Sequence, residues 1–309
     1  MEVLTLKRTD LRVSRLCVGG CPMGGYAWGE VREPELLASV DAALDAGVNF
    51  FDTADVYGLG QSEQTLGRAL AGHRHRAVIA TKCGVRVENG RTFYDNSPAW
   101  LVSACEASLR RLQTDYIDLY QIHYRDETPM EAVVEALETL RDQGKIRYFG
   151  LSNVGKSQLS ELLPYRRRFA SLQLEYSLAR REREGDLLAL AEGLDLTPMT
   201  WGSLGQGVLT GKYGPDAAFG GDDRRSRETY VNFRGEKLER NLRIVEKLRE
   251  IALQRGRTPA ETAVRFILDK LPGSIAICGV KRPSQLLTGA LGWQLTAAEL
   301  AALEEISER

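Results

Sequence analysis

A (β/α)8 barrel of the TIM type, with an N-terminal β-hairpin and extra C-terminal helices, is the fold this sequence predicts. Three observations predict it. Short apolar runs alternate with helix-period runs along nearly the whole chain, and such alternation implies parallel strands joined by crossover helices. The strand-like runs start at about positions 15, 48, 77, 115, 146, 171, 196 and 274; eight units suit a closed barrel better than an open sheet. No linker-like stretch divides residues 1–309, so a single domain is expected.

The elements follow in order. RLCVGG (15–20) reads as a strand ending in glycines, and EPELLASVDAALDAG (33–47) as a helix stopped by Gly47. VNFF (48–51) is the second strand and SEQTLGRAL (62–70) the next helix. AVIATKC (77–83) is a strand, and Pro98 opens a helix over 98–112. DYIDLYQIH (115–123) is followed by the clearest helix, 129–144. Its apolar positions 130, 133, 134, 137 and 140 share one face. Strands at 146–153, 171–176 and 196–201 alternate with helices at 156–163 and 185–193. Residues 236–256 and 258–271 read as helices, 274–279 as the last strand, and TAAELAALEEI as an extra helix. TLKRT and LRV flank a small N-terminal hairpin. The polar, glycine-rich stretch 205–235 interrupts the rhythm and reads as an enlarged strand-to-helix loop.

Composition narrows the function. The chain is 43% hydrophobic and 27% charged, with a net charge of −1. Nothing in that balance attracts nucleic acid or an anionic membrane, so a small molecule or a protein is the expected partner. No apolar run is long enough for a membrane span. The start, MEVLTLKRTD, lacks a signal core, so a cytoplasmic protein is expected. Five scattered cysteines without a CxxC pair support neither a disulfide framework nor a zinc site. The three histidines are not spaced as metal ligands, so no metal is expected.

Chemistry in such barrels lies at the C-terminal ends of the strands. Asp52 lies one residue past the second run, and Tyr57 lies in the loop after it. Lys82 is near the end of the third run, His123 closes the fourth, and Ser152 and Asn153 end the fifth. Gln173 lies in the sixth run and Trp201 ends the seventh. Singly, each has a plainer reading: Asp52 caps a turn, Tyr57 packs, Lys82 forms an ion pair, His123 is structural. Four such residues at adjacent strand ends support one specific chemistry. A phenol keeps its proton to about pH 10. A nearby Lys82 ammonium is expected to lower that value, and Asp52 to aim the ammonium. Tyr57 then donates a proton to a carbonyl oxygen, and His123 orients that oxygen. No side chain supplies a hydride, so the site requires a redox cofactor. The dinucleotide fingerprint G-x-G-x-x-G is absent. GSLGQGVLTG (202–211) still offers loop amides where a phosphate could bind.

DTADVYGLGQSE, TKCG, DYIDLYQIH, QGKIRYFGLSN and LTGK together resemble the aldo/keto reductase superfamily. The matches run in order from about residue 5 to residue 300. GGDDRR (220–225), CGVKRPSQL and GWQLT resemble a bacterial subgroup that includes inositol-operon and general-stress reductases. The resemblance implies a barrel that binds NADP(H) without a Rossmann domain. It implies the catalytic set Asp52, Tyr57, Lys82 and His123. It implies that Ser152, Asn153 and Gln173 bind the nicotinamide carboxamide and that Trp201 stacks on its ring. Gly202, Ser203, Leu204, Gly207 and Lys212 would line the pyrophosphate region, and Gly279, Lys281, Arg282 and Gln285 the adenosine end. Gly20, Cys21 and Arg225 complete the implied cofactor set.

The sequence also departs from the family pattern. Trp201 replaces the commoner tyrosine or phenylalanine, and Tyr124 replaces the tryptophan that often follows the catalytic histidine. Thr288 and Gly289 stand where many members carry a Glu-Asn pair, and Gly20-Cys21 where a Thr-Trp pair is common. Tyr26, Trp28 and Tyr124, with Val56 and Phe93, are candidate walls of the substrate pocket. Lys281 and Arg282 are expected to favour NADP(H) over NAD(H) by meeting a 2′-phosphate. The glycine-rich stretch 205–235 is expected to close over the cofactor, with Asp223 and Arg225 as a latch.

Three functions are compatible with this reading. One is an NADPH-dependent reductase of aldehydes or ketones. Another is a nucleotide-binding regulatory subunit, as in potassium-channel β subunits. The third is a barrel isomerase or lyase. The short N-terminal segment favours the enzyme; substrate and oligomeric state, with a monomer allowed, stay open.

Overall fold

A computed structural model describes residues 1–25 and 27–308. Tyr26, a candidate pocket residue, lies outside the described residues. Eight strands close into a barrel: β1 (Leu16–Gly19), β2 (Phe50–Asp52), β3 (Val78–Cys83), β4 (Ile117–Ile122), β5 (Ile146–Ser152), β6 (Ser171–Glu175), β7 (Thr197–Trp201) and β8 (Ile275–Gly279). Each pairs in parallel with its neighbour in sequence, and β8 returns to β1 through Cys278↔Val18 and Gly279↔Gly19.

Alternation along the strands divides the interior into two apolar layers. Cys17, Phe50, Ala80, Leu119, Met199 and Ile275 fill the barrel itself. Val18, Phe51, Ile79, Tyr120 and Leu172 belong to the larger layer beneath the helices. Successive side chains of a strand face opposite sides, so the residue two beyond each barrel-filling one faces inward again. From Phe50 that residue is Asp52; from Ala80 it is Lys82; from Leu119 it is Gln121, and then His123. Strand parity therefore sets the polar residues on the inner wall at the C-terminal rim. The other rim is closed by the antiparallel pair Val3–Thr5 and Arg12–Ser14, whose Leu6, Leu11 and Val13 pack into the barrel-filling cluster.

The outer ring comprises α1 (Glu33–Asp45), α2 (Gln61–Ala69), α3 (Pro98–Leu112), α4 (Met130–Asp142), α5 (Leu159–Leu162), α6 (Glu184–Gly193), α7 (Gly235–Arg255), α8 (Pro259–Lys270) and α9 (Ala297–Glu308). The caps are local. Ser97 accepts from the Trp100 amide ahead of α3, and Thr258 forms a capping box with Glu261 ahead of α8. Two expectations need correction. The helix expected over 156–163 is broken into two 3-10 turns around the one-turn α5; Pro164 ends it because it has no amide proton to donate. No helix follows β8 directly; two 3-10 turns intervene before α9, which packs on α7 and α8.

Candidate active site

The polar rim is a single hydrogen-bonded cluster. Lys82 Nζ donates to Asp52 Oδ1 at 2.6 Å, to the Thr53 carbonyl at 2.9 Å and to the Tyr57 hydroxyl at 3.3 Å. Lys82 is fully buried, so this ion pair is shielded from water and salt. Asp52 Oδ2 accepts from Gln173 Nε2 at 2.8 Å and Gln121 Nε2 at 3.3 Å. The His123 ring meets Tyr57 edge-on, with centroids 5.9 Å apart. All four expected catalytic residues thus share one spot. Gln121 was absent from the expected set, although Leu119, Gln121 and His123 share one strand face.

The electrostatics correct one expectation. Burial raises the Tyr57 phenol well above its ordinary value, with Cys21 and Asp52 adding to the effect. The expected lowering is not seen: exclusion of water outweighs the cations. Tyr57 is therefore held protonated. Burial, then the Lys82 charge, pushes His123 well below the usual histidine range, so its ring is neutral. His123 Nδ1 is buried with no hydrogen-bond partner among the described residues.

Beside this cluster, Asn153 adopts a left-handed backbone at φ 54°. Its Nδ2 donates to the His123 carbonyl and to Ser152 Oγ, each at 3.1 Å, while Trp201 Nε1 donates to Asn153 Oδ1 at 3.2 Å. Ser152, Asn153, Gln173 and Trp201 thus adjoin the Asp52–Tyr57–Lys82–His123 cluster. Ser203 is turned away: its hydroxyl lies 3.0 Å from the Ile277 carbonyl and 3.1 Å from that of Thr200, tying the loop to β8. Gly202, Gly205, Gln206 and Gly207 all have positive φ, which folds the start of the long loop back tightly at Leu204–Gly207.

Gly20 serves packing. Its amide donates to the Asp52 carbonyl at 2.7 Å, and a Cβ there would lie 2.7 Å from Ser62 Oγ. Gly279 leaves room for the Pro22 ring. Lys281 is pushed below its ordinary value, first by burial and then by the charge of Arg225, with Arg282 and Lys212 acting the same way. Cations from the loops after β7 and β8 therefore gather in one place. Gln285 Oε1 accepts from the Lys281 amide at 2.9 Å, so this glutamine shapes the turn.

The loop 205–235 carries three 3-10 turns and its own aromatic cluster of Tyr213, Phe219 and Phe233. Arg225 bonds Asp223 through Nε at 2.9 Å and the Tyr213 hydroxyl at 2.6 Å. The expected Asp223–Arg225 latch is thus internal to the loop. Links to the loop after β1 run through other groups: the Arg224 amide donates to the Ala27 carbonyl at 2.9 Å, and Lys281 Nζ donates to the Trp28 carbonyl at 2.8 Å. Tyr124 stacks on His123 at 5.0 Å and on Tyr94 at 4.9 Å. Phe93 lies under Arg86, and it is the neighbouring Tyr94 that stacks on Tyr124. The hairpin carrying both, Val85–Glu88 with Arg91–Tyr94, turns at Asn89-Gly90, with both residues at positive φ. Such an Asn-Gly pair is a strong hairpin signal that the alternation reading passed over.

A parallel barrel with buried Asp52, Lys82 and His123 and a half-buried Tyr57 at its C-terminal rim defines a class of oxidoreductase rather than a mere scaffold. The chain belongs to the aldo/keto reductase family, whose model matches residues 15–308. It is 36% identical to Aldo-keto reductase YhdN of Bacillus subtilis, across 100% of this chain and 94% of that protein. Among solved structures it resembles the glycerol dehydrogenase AKR11B4 from Gluconobacter oxydans. That match has a TM-score of 0.88 and 35% identity, covering 98% of this chain and 94% of that one. An aldo-keto reductase from Klebsiella pneumoniae, solved with NADPH, matches with a TM-score of 0.76 and 28% identity, covering 99% and 96%. No helix among the described residues is long and apolar enough to cross a membrane.

Proposed function

We propose that the protein reduces aldehydes or ketones to alcohols with NADPH, using Tyr57 as the proton donor. One observation carries this reading: the buried Lys82 Nζ sits between Asp52 and the Tyr57 hydroxyl, beside a neutral His123. The residues fit the cofactor. Asn153 and Gln173 bring amides to the rim, Trp201 offers a flat ring, and Lys212, Arg225, Lys281 and Arg282 supply charge for phosphates. NADPH, when bound, supplies the hydride. The side chains do the rest. The Tyr57 hydroxyl and His123 hold the carbonyl oxygen by hydrogen bonds. As negative charge grows on that oxygen, Tyr57 releases its proton to it, and the Lys82 ammonium stabilises the phenolate left behind. Asp52, fixed by Gln173 and Gln121, pairs with Lys82 and aims it at the phenol.

Relatives named as reductases and dehydrogenases favour an enzyme over a regulatory subunit. The test is loss of NADPH absorbance on adding a panel of aldehydes to the purified protein alone. No loss with any of them would contradict the reading.

A further inference from the structure

A catalytic histidine is usually oriented by an acceptor on the ring nitrogen that faces away from the substrate. His123 has no such acceptor among the described residues: its Nδ1 is buried and unpartnered. Its backbone is fixed, since the amide donates to the Cys83 carbonyl at 2.9 Å and the carbonyl accepts from Asn153. The imidazole itself is held by rings. Tyr57 meets it edge-on, and Tyr124 stacks on it with 27° between the planes. Tyr94 stacks on Tyr124 with 10° between the planes. Three rings therefore form one stack, running from the hairpin at 85–94 to His123. Asn96 brings Tyr94 into place. The Asp95 amide donates to the Gly84 carbonyl at 3.0 Å, closing the hairpin just past β3. Asn96 is fully buried; its amide donates to Asp126 Oδ2 at 2.7 Å and its Nδ2 to the Tyr124 carbonyl at 3.0 Å. Gly84, at φ 93°, makes room, because a Cβ there would lie 2.3 Å from Asn96 Oδ1. The hairpin that leaves the strand of Lys82 is thus tied to the residue after His123. Core packing does not require this stack, since Tyr94 is 46% exposed and Tyr124 is half-buried.

We infer that Tyr94 is a positioning residue for His123, holding Tyr124 against the imidazole so that a stack of rings takes the place of the missing hydrogen bond. The inference rests on the carbonyl-reductase reading above and adds a residue outside its proton-transfer group. Stacking between aromatic rings favours one arrangement over others by about 3- to 10-fold. A ring turned out of line does not donate to the carbonyl oxygen. The loss therefore falls on the chemical step, and on every carbonyl alike. A residue that only touched the substrate would act on KM instead, and on some substrates more than others.

The test compares wild type, Tyr94→Ala and Tyr94→Phe with two unlike aldehydes, 4-nitrobenzaldehyde and glyceraldehyde, at saturating NADPH. In parallel, NMR follows the His123 imidazole in histidine-labelled, NADP+-loaded protein. The chain has only two other histidines, His73 and His75, and both are exposed. Tyr94→Ala should lower kcat by about 3- to 10-fold with both aldehydes and leave NADPH affinity within about 2-fold. It should also broaden or double the His123 ring signal, as the imidazole samples more than one orientation. Tyr94→Phe keeps the ring and should recover the wild-type kcat to within about 2-fold, together with the single signal. Should Tyr94→Ala fold poorly, Tyr94→Leu is read in the same way. An unchanged kcat in Tyr94→Ala, a fall confined to one aldehyde or to KM, or a lowered kcat with an unchanged His123 signal each overturns the inference. A wild type that oxidises no NADPH with any aldehyde sinks the reductase reading instead, and the NMR comparison alone then decides whether Tyr94 orients the ring.

Discussion

Asp55 shows how one side chain can control the pH response of this site. It precedes Tyr57 by two residues, and its Oδ1 is buried without a partner among the described residues. Burial and then the nearby Glu63 raise its carboxyl to about 8, against the pull of Arg111 and Lys82. Arg111 is committed elsewhere, donating to Glu63 at 2.6 Å. Because the folded value exceeds the unfolded one, the folded protein holds the extra proton between them. Stability from this group is full below about pH 4 and is lost as pH rises toward about 8. Asp55→Asn should therefore melt several degrees above wild type at about pH 9, while the two differ little at about pH 4. Identical melting shifts at both pH values would show that Asp55 is not the titrating group. The paired change Lys281→Ala and Arg282→Ala belongs to the same scale. It should weaken NADPH binding by about 10- to 100-fold and leave NADH nearly unchanged; equal weakening of both would mean that the pair does not read the 2′-phosphate. Side-chain identity at the strand ends was legible in the sequence, but the balance of forces was not. The Lys82 charge suggested a lowered phenol, whereas enclosure of Tyr57 raises it, and enclosure depends on loops distant in sequence. The contact of Arg224 with Cys21 was invisible for the same reason: it spans some two hundred positions.

At the scale of elements, the barrel strands were readable because each is a short apolar run bounded by glycine or polar residues. Their observed limits lie within about two residues of the expected ones. Helices with strong periodicity and caps, such as 98–112, were equally clear. The failures have local causes: Pro164 breaks 156–165, and a short, mostly exposed hairpin at 85–94 lacks the continuous apolar run that marks a barrel strand. The loop 205–235 was visible only as an interruption. Its fold depends on Tyr213, Phe219 and Phe233, and on Arg224 reaching the Ala27 carbonyl, contacts that no periodicity announces. We propose that the loop, docked in this way, straps over the bound cofactor. Trypsin should cut the apo protein after exposed Lys212 or Arg227. Saturating NADPH should slow that cleavage at least about 10-fold, through the mass action of a ligand on the closed state. Cleavage at an unchanged rate would exclude closure.

For the molecule as a whole, the hairpin plug at one rim and the polar cluster at the other divide the labour between stability and chemistry. Cofactor binding should register in both. NADPH at about 100 times its Kd should add about 2.7 kcal/mol and raise Tm by about 4 °C. NADH at the same concentration should raise it less, and equal shifts would argue against cation recognition of the 2′-phosphate. The separation also allows a direct test of the central claim, that the barrel rim assembles a proton donor at Tyr57. The measurement is single-turnover NADPH oxidation by wild type and Tyr57→Phe, alongside NADPH affinity by titration of intrinsic fluorescence. Removing only the hydroxyl should cut the chemical step by about 10²- to 10⁴-fold and leave NADPH affinity within about 3-fold. Near-normal turnover by Tyr57→Phe would contradict the account.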